Sequence, residues 1–243
     1  MKKLRKYNSS DIIALFLKEK KIKHVFGIIG SANAHIFHSI QKLNYTKIVC
    51  VHHEQAATMA IQTYFRVSGK ISAALITAGG ATSNAITGVI SAWADSMPGI
   101  IITGQENSKF MKTHKNLRMW GIQGFDTTEM VKKVTKYSSR IFDSKKILYE
   151  LDKSYHISLN DRPGPVWLDI PVNIQGEFIK DVKKLKRYKK IKQKKIIKIK
   201  DLNKLTKLIG ESKRPVFWFG NGIRLSKSQN LITKVIKKAS IIN

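Results

Sequence analysis

The stretch Lys47-Ile48-Val49-Cys50-Val51-His52-His53-Glu54-Gln55-Ala56-Ala57 decides how this chain is read. A short β-branched run, residues 47–51, is followed almost at once by an acid. An Ala-rich segment then continues to Ser68 and meets Gly69. That order predicts a strand, a turn and a helix over residues 54–68, with glycine as the stop. Two readings of Glu54 fit. Acids favour the first turn of a helix, where the dipole and free N–H groups attract negative charge. Alternatively, Glu54 is a buried carboxylate facing a ligand at the end of a parallel strand, where open α/β sheets bind. Cys50, inside an apolar strand, is expected to be a buried, inert thiol.

Working outward, strand-like and helix-like segments alternate. A helix is expected over residues 11–20, capped by Ser9 or Ser10. A strand over 24–28 ends in Gly27-Ile28-Ile29-Gly30-Ser31, and a helix to about Lys42 follows. Residues 71–77 read as a strand ending in Ala78-Gly79-Gly80, and 81–94 as a helix of small residues. Residues 99–103 form another strand. Residues 105–124 look irregular, and a loop of that length in a compact domain usually has a task. A short helix (127–132), a strand (136–142), a helix (145–159) and a strand (166–170) stopped by Pro171 complete the pattern. Several strands are continuously apolar, as expected of a parallel sheet covered on both faces. Strands alternating with helices give α/β architecture: a three-layer sandwich with a mostly parallel sheet flanked by helices.

This first domain is expected to span residues 1–178. A Lys-rich linker, 179–200, carries twelve basic residues between Lys180 and Lys200. Residues 201–243 read as the start of a second α/β domain: a helix over 202–210, a strand over 216–219, a turn at Gly220-Asn221-Gly222, a helix, and a further strand beginning at 240–242. One strand and two helices do not close a domain, so the chain reads as cut in mid-domain.

The net charge of +29 raises nucleic-acid binding as a function. The excess is mostly Lys, with only eight Arg, and the basic run offers Tyr188 as its one aromatic residue. Base readout favours Arg, and single-strand binding favours interleaved aromatics. Nucleic acid is therefore an unfavoured partner. No apolar stretch of membrane-spanning length occurs, and no signal peptide is expected. A single cysteine fits a reducing, cytoplasmic setting. His52 and His53 have no second cluster at ligand spacing, so no metal site is expected here.

Gly27-x-x-Gly30 lacks the rest of a dinucleotide fingerprint, and Thr77-Ala78-Gly79-Gly80-Ala81-Thr82-Ser83-Asn84 is not followed by the Gly-Lys-Ser/Thr of a phosphate loop. Small residues at such a junction serve either tight helix–sheet packing or close approach of a ligand to the backbone.

Taken in order, these pieces resemble the N-terminal, pyrimidine-binding domain of thiamine diphosphate-dependent enzymes, above all the acetolactate synthase branch. The matching pieces are Val25-Phe26-Gly27-x-x-Gly30, His53-Glu54-Gln55-x-Ala57, Thr77-x-Gly79 and Asn84-Ala85-x-Thr87-Gly88. Ala94-x-Ser96-x-Pro98, Ile102-Thr103-Gly104-Gln105, Val134-Thr135-Lys136 and the segment from Arg162-Pro163-Gly164-Pro165 to Asp169-Ile170-Pro171 follow. The likeness covers about residues 10–175 and continues at Arg214-Pro215-Val216 and Gly220-Asn221-Gly222.

The resemblance implies the thiamine diphosphate-binding fold, followed by the truncated start of the family's central domain. It implies thiamine diphosphate as cofactor, with Glu54 as the catalytic residue. The family's glutamate hydrogen-bonds N1′ of the aminopyrimidine ring and so activates the cofactor toward the carbonyl of a 2-oxo acid. That role calls for a partly desolvated carboxyl. Gly30, Glu54, Gly79 and Asn84 are the implied cofactor-binding residues. Ser31 matches a position that varies with substrate, or else caps a helix. Gln123 matches a glutamine that reaches the active site, or else is a surface residue. His53 is read as mainly structural, and helix capping is the other reading of Asn84. Ile29-Gly30-Ser31 replaces a usual Pro-Gly-Gly, and Gly80 a common Pro, which puts the acceptor substrate in doubt.

The implied activity is decarboxylation of a 2-oxo acid such as pyruvate and transfer of the resulting unit to a second carbonyl. The alternatives are a 2-oxo acid decarboxylase, or a non-catalytic split subunit that needs a partner. The family holds Mg²⁺ and diphosphate through a Gly-Asp-Gly sequence in its third domain. No such sequence occurs here, so the Mg²⁺ site is expected in a missing domain. A homodimer or homotetramer with its active site at the subunit interface is implied, and the fragment alone is expected to be inactive.

Overall fold

The structure, a computed structural model, describes residues 6–113, 117–190 and 198–238. The chain divides into two compact units, Met1–Lys190 and Ile191–Asn243.

In the first unit, β1 (Tyr7–Asn8) leads into α1 (Ser9–Glu19), followed by β2 (His24–Gly27), α2 (Ala34–Leu43), β3 (Lys47–Cys50) and α3 (Glu54–Ser68). Then come β4 (Ala73–Ile76), α4 (Gly80–Ala94), β5 (Gly99–Gln105), α5 (Ser108–Thr113), α6 (Thr127–Met130) and β6 (Tyr137–Arg140). A 3₁₀ turn, Ser144–Lys146, opens α7 (Ile147–Leu159), and β7 (Pro165–Pro171), α8 (Val172–Gly176) and β8 (Phe178–Ile179) finish the unit. Most boundaries fall within a few residues of the sequence reading, and α3 has the expected ends, with Gly69 in the left-handed region at φ 67°.

The main sheet has six strands in the order β3-β2-β4-β5-β7-β6, every pair parallel. Alternate residues feed opposite faces, as strand geometry requires. Leu75, Ile100, Ile102, Val166 and Leu168 meet α1, α2 and α7, whereas Ala74, Ile76, Ile101 and Trp167 meet α3 and α4. This is the three-layer α/β sandwich expected. From β2 the chain moves outward to β3, then crosses to the other side of β2 to form β4. The strand order therefore reverses between β2 and β4, which opens a crevice at their C-terminal ends.

Four local expectations are corrected. Asn8, and not Ser9 or Ser10, caps α1: its side chain accepts from Asp11 N at 2.8 Å, while Asp11 accepts from Asn8 N at 3.2 Å. Both serines lie inside the helix and are buried. Cys50 is exposed, because β3 is the outer strand with only β2 beside it. The 105–124 segment contains a helix, α5. A small antiparallel pairing of β1 with β8 ties the end of the unit back to its start. Residues 179–190 belong to this unit: Ile179 and Leu185 are buried, and Arg187 donates to both Glu19 and Asp152.

In the second unit, α9 (Ile199–Glu211), α10 (Gly222–Leu225) and α11 (Gln229–Lys238) are formed. The strand expected over 216–219 is not: this segment pairs with nothing among the described residues, and Trp218 is 95% exposed. A strand exists only through ladder bonds to a neighbour, and no neighbour is described. The strand expected at 240–242 lies outside the described residues.

Candidate cofactor-binding site

The candidate residues gather at the C-terminal ends of β2, β3 and β4. Glu54 is the first residue of α3, separated from the end of β3 by three residues, and the residue is 9% exposed. Asn84 Nδ2, on α4, donates to Glu54 Oε2 at 3.0 Å. Among the described residues, Oε1 has no hydrogen-bond partner. One carboxyl oxygen is thus held by Asn84 and the other is left open to a ligand. His53 caps α3, its Nδ1 accepting from Gln55 N at 3.2 Å, which agrees with a structural part for it.

The α3–α4 contact that brings Glu54 to Asn84 depends on small side chains. Thr58 Oγ1 lies 3.0 Å from Ala85 O, and Gln62 Nε2 donates to Gly88 O at 2.7 Å. A Cβ on Gly88 would fall 2.1 Å from Thr58 Oγ1. The run of small residues in α4 thus serves close helix packing directly and the site indirectly.

The crevice between β2 and β4 is lined by Gly30 and Thr77. A Cβ on Gly30 would lie 2.5 Å from Thr77 Oγ1, so the two loops touch. Thr77 Oγ1 is itself buried without a hydrogen-bond partner among the described residues. Gly79 has φ +79° and ψ −139°, a conformation only glycine adopts readily. Gln123 covers it: a Cβ on Gly79 would be 2.9 Å from Gln123 Cδ, and Gln123 Nε2 donates to Ala78 O at 3.3 Å. Ser31 is exposed in the turn after Gly30 and makes no hydrogen bond among the described residues. It is not a helix cap, since Asn33 occupies that position. The structure therefore pairs Glu54 with Asn84 and Gly79 with Gln123, and gives Ser31 no hydrogen bond among the described residues.

Further residues shape this edge, and of these Asn33, Gln175 and Arg140 stand in no quoted motif. Asn33, fully buried, accepts from Gly30 N at 2.8 Å and donates to Ile28 O at 3.1 Å, which holds the glycine turn. Gln175 Nε2 bridges Ala32 O at 2.6 Å and Ile170 O at 2.7 Å. Asp169, on β7 and wholly buried, accepts from Thr103, Gln105 and Arg140. Thr103, Gln105 and Asp169 stand in the quoted segments, but their register across β5 and β7 is needed to see that they meet. Arg140 stands in no quoted segment.

A groove of about 900 Å³ lies elsewhere, between the start of α7 and residues 177–186, and touches none of the candidates. Among the described residues, no three His, Cys, Asp or Glu side chains gather as a metal site would require, and no helix is long and apolar enough to cross a membrane.

The crevice fits an aminopyrimidine chemically. It offers the unclaimed oxygen of the largely buried Glu54 for a ring nitrogen, the unpartnered Thr77 hydroxyl, and glycine backbone that a flat group can approach. Comparison with known proteins agrees. The model of the family described as thiamine pyrophosphate enzyme, N-terminal TPP binding domain, matches residues 7–130, just over half of the chain. The acetolactate synthase large subunit of Haemophilus influenzae is 28% identical over 233 residues, covering 94% of this chain and 40% of that protein. Its namesake from Lactococcus lactis is 28% identical, covering 98% and 41%. That from Corynebacterium glutamicum is 30% identical, covering 85% and 32%. The chain thus spans about two fifths or less of the length of these relatives. By the family match, the crevice and the order of its motifs, the chain belongs to the thiamine pyrophosphate-dependent enzymes and carries their N-terminal cofactor-binding domain.

Proposed function

We propose that the chain is the N-terminal portion of an acetolactate synthase-like enzyme, which decarboxylates a 2-oxo acid such as pyruvate and transfers the resulting unit to a second carbonyl. The observation that carries this reading is the buried Glu54 carboxyl, held on one side by Asn84 and unclaimed on the other, in a chain whose matched relatives are acetolactate synthases.

Thiamine diphosphate, when bound, supplies a nucleophilic carbon and an acceptor for the electrons left by decarboxylation. Glu54 Oε1 would exchange a proton with the ring nitrogen N1′. Asn84 fixes the carboxyl's orientation through Oε2. Gly30 and Gly79 let backbone approach the ring, and their loops exclude water from it. Ser31 and Gln123 are placed in this reading against the substrate.

Mg²⁺ and the diphosphate would be held by a separate domain, since Gly-Asp-Gly is absent from this sequence. Residues 1–243 then supply at most half of a site and are inactive alone. A homodimer or homotetramer of a cytoplasmic enzyme is the proposed assembly. Exposed Met59, Ile90 and Trp93 on α3 and α4 support it, because these helices carry Glu54 and Asn84 and offer apolar surface beside them.

The test is Glu54→Gln in the protein as its source makes it, assayed with pyruvate, Mg²⁺ and thiamine diphosphate. Glutamine keeps the shape and loses proton exchange, so turnover should fall by about 10²-fold or more. Unchanged turnover refutes the assignment. Acetolactate as product supports the synthase, whereas free aldehyde points to the decarboxylase.

A further inference from the structure

Thr103, Asp169 and Arg140 are direct neighbours across β5, β7 and β6, so their side chains share one face. Thr103 Oγ1 donates to Asp169 Oδ1 at 2.8 Å. Gln105 Nε2 and Arg140 Nε donate to Oδ2 at 3.0 and 2.7 Å. Burial raises the Asp169 carboxyl above the usual carboxylate range, an effect that the Arg140 guanidinium offsets only in part. An ionised carboxylate, an acceptor at every lone pair, is the form that satisfies all three donors.

The same donors hold the loop beyond the sheet. Gln105 Nε2 also donates to Phe125 O at 3.0 Å. Arg140 Nη2 donates to Asp126 Oδ1 at 2.8 Å, and its guanidinium lies 4.6 Å from the centre of the Trp120 ring. Trp120 and Gly124 exchange two backbone hydrogen bonds, at 2.9 and 2.8 Å, which closes a tight turn. Gln123 stands in that turn, an exposed residue whose side chain lies against Gly79.

We infer that Asp169 and Arg140 are positioning residues, which fix the 120–126 turn so that Gln123 covers the cofactor crevice at Gly79. The geometry alone carries the first half of this statement, and the part played at the crevice rests on the proposed function. A buried carboxylate with a forked cation is suited to the task. It cannot be satisfied by water, so the turn is held in one place.

Two variants of the 243-residue chain test it, Arg140→Lys and Asp126→Asn. Lysine keeps the charge beside Asp169, but one ammonium cannot reach Asp126 as well. Asp126→Asn alters an exposed side chain and decides the matter should the lysine variant not fold. The expected result is amide exchange at Trp120 and Gly124 faster by about tenfold, the factor that loss of one charge-assisted hydrogen bond gives. The Gln123 side-chain amide resonances should shift as its hydrogen bond to Ala78 O is lost, with exchange at Ile101 and Leu168 unchanged. A merely structural role would move core and turn together. A folded variant with the turn amides and the Gln123 resonances unchanged overturns the inference. In the protein assayed with pyruvate, Arg140→Lys should raise KM as Gln123→Ala does, and the double variant no further. Additive effects overturn the positioning role. A parent protein without thiamine diphosphate-dependent turnover refutes the proposed function instead, and leaves the exchange measurement to decide the inference.

Discussion

Gly88→Ala would separate the two helices that bring Glu54 to Asn84. The added methyl would stand 2.1 Å from Thr58 Oγ1, 2.8 Å from Thr58 Cβ and 3.0 Å from Met59 N. Non-bonded contacts of this kind ordinarily begin at about 3.5 Å, so the helices must part by about 1 Å, or Thr58 must turn away. Turning away gives up its contact with Ala85 O, and parting stretches the bond from Gln62 to Gly88 O. Overpacking costs about 1–3 kcal/mol, and a weakened buried hydrogen bond about 1 more. Alanine recovers about 1 kcal/mol of helix propensity. The expected net loss is about 2 kcal/mol. For a unit of this size, that lowers Tm by about 4–8 °C. Thermal unfolding of wild type and variant, followed by circular dichroism, measures it directly. A Tm equal to or above the wild type would show that propensity outweighs packing, and would refute the tight α3–α4 contact.

Two further outcomes are expected. The hydrogen bond from Arg187 holds the Glu19 carboxyl at about 2, below its ordinary 4.5. A depressed carboxyl stabilises the fold above pH 4.5 and loses that contribution as pH falls toward 2. With both side chains partly in solvent, the contribution is about 1 kcal/mol or less. Arg187→Met should therefore flatten the acid limb of the Tm profile, and an unaltered acid limb refutes the pairing. Cys50, on the open edge of the sheet, should react fully with a thiol reagent in the native chain at high dilution. Reaction only after denaturation would refute the exposed edge.

Much of the fold is legible in the chain itself. Hydrophobic period and turn residues are local properties, so the alternation of strands and helices, the ends of α3 and the burial of both sheet faces follow from residues a few positions apart. The glycines, Glu54 and Asn84 are nominated as a set because their order along the chain carries a resemblance. What the tertiary structure decided depends on which distant segments lie side by side. Apolar composition suggested that Cys50 would be buried, yet β3 turned out to be an edge, and edge position is a property of strand order. The apolar residues 216–219 looked like a strand, but a strand needs a neighbour to take its ladder bonds. Asp169, Arg140 and Gln105 became a network only through the register of β5, β7 and β6, which places residues 29 to 66 positions apart within hydrogen-bonding distance. Local sequence determined the elements, and the non-local pairing of those elements determined which side chains share a site.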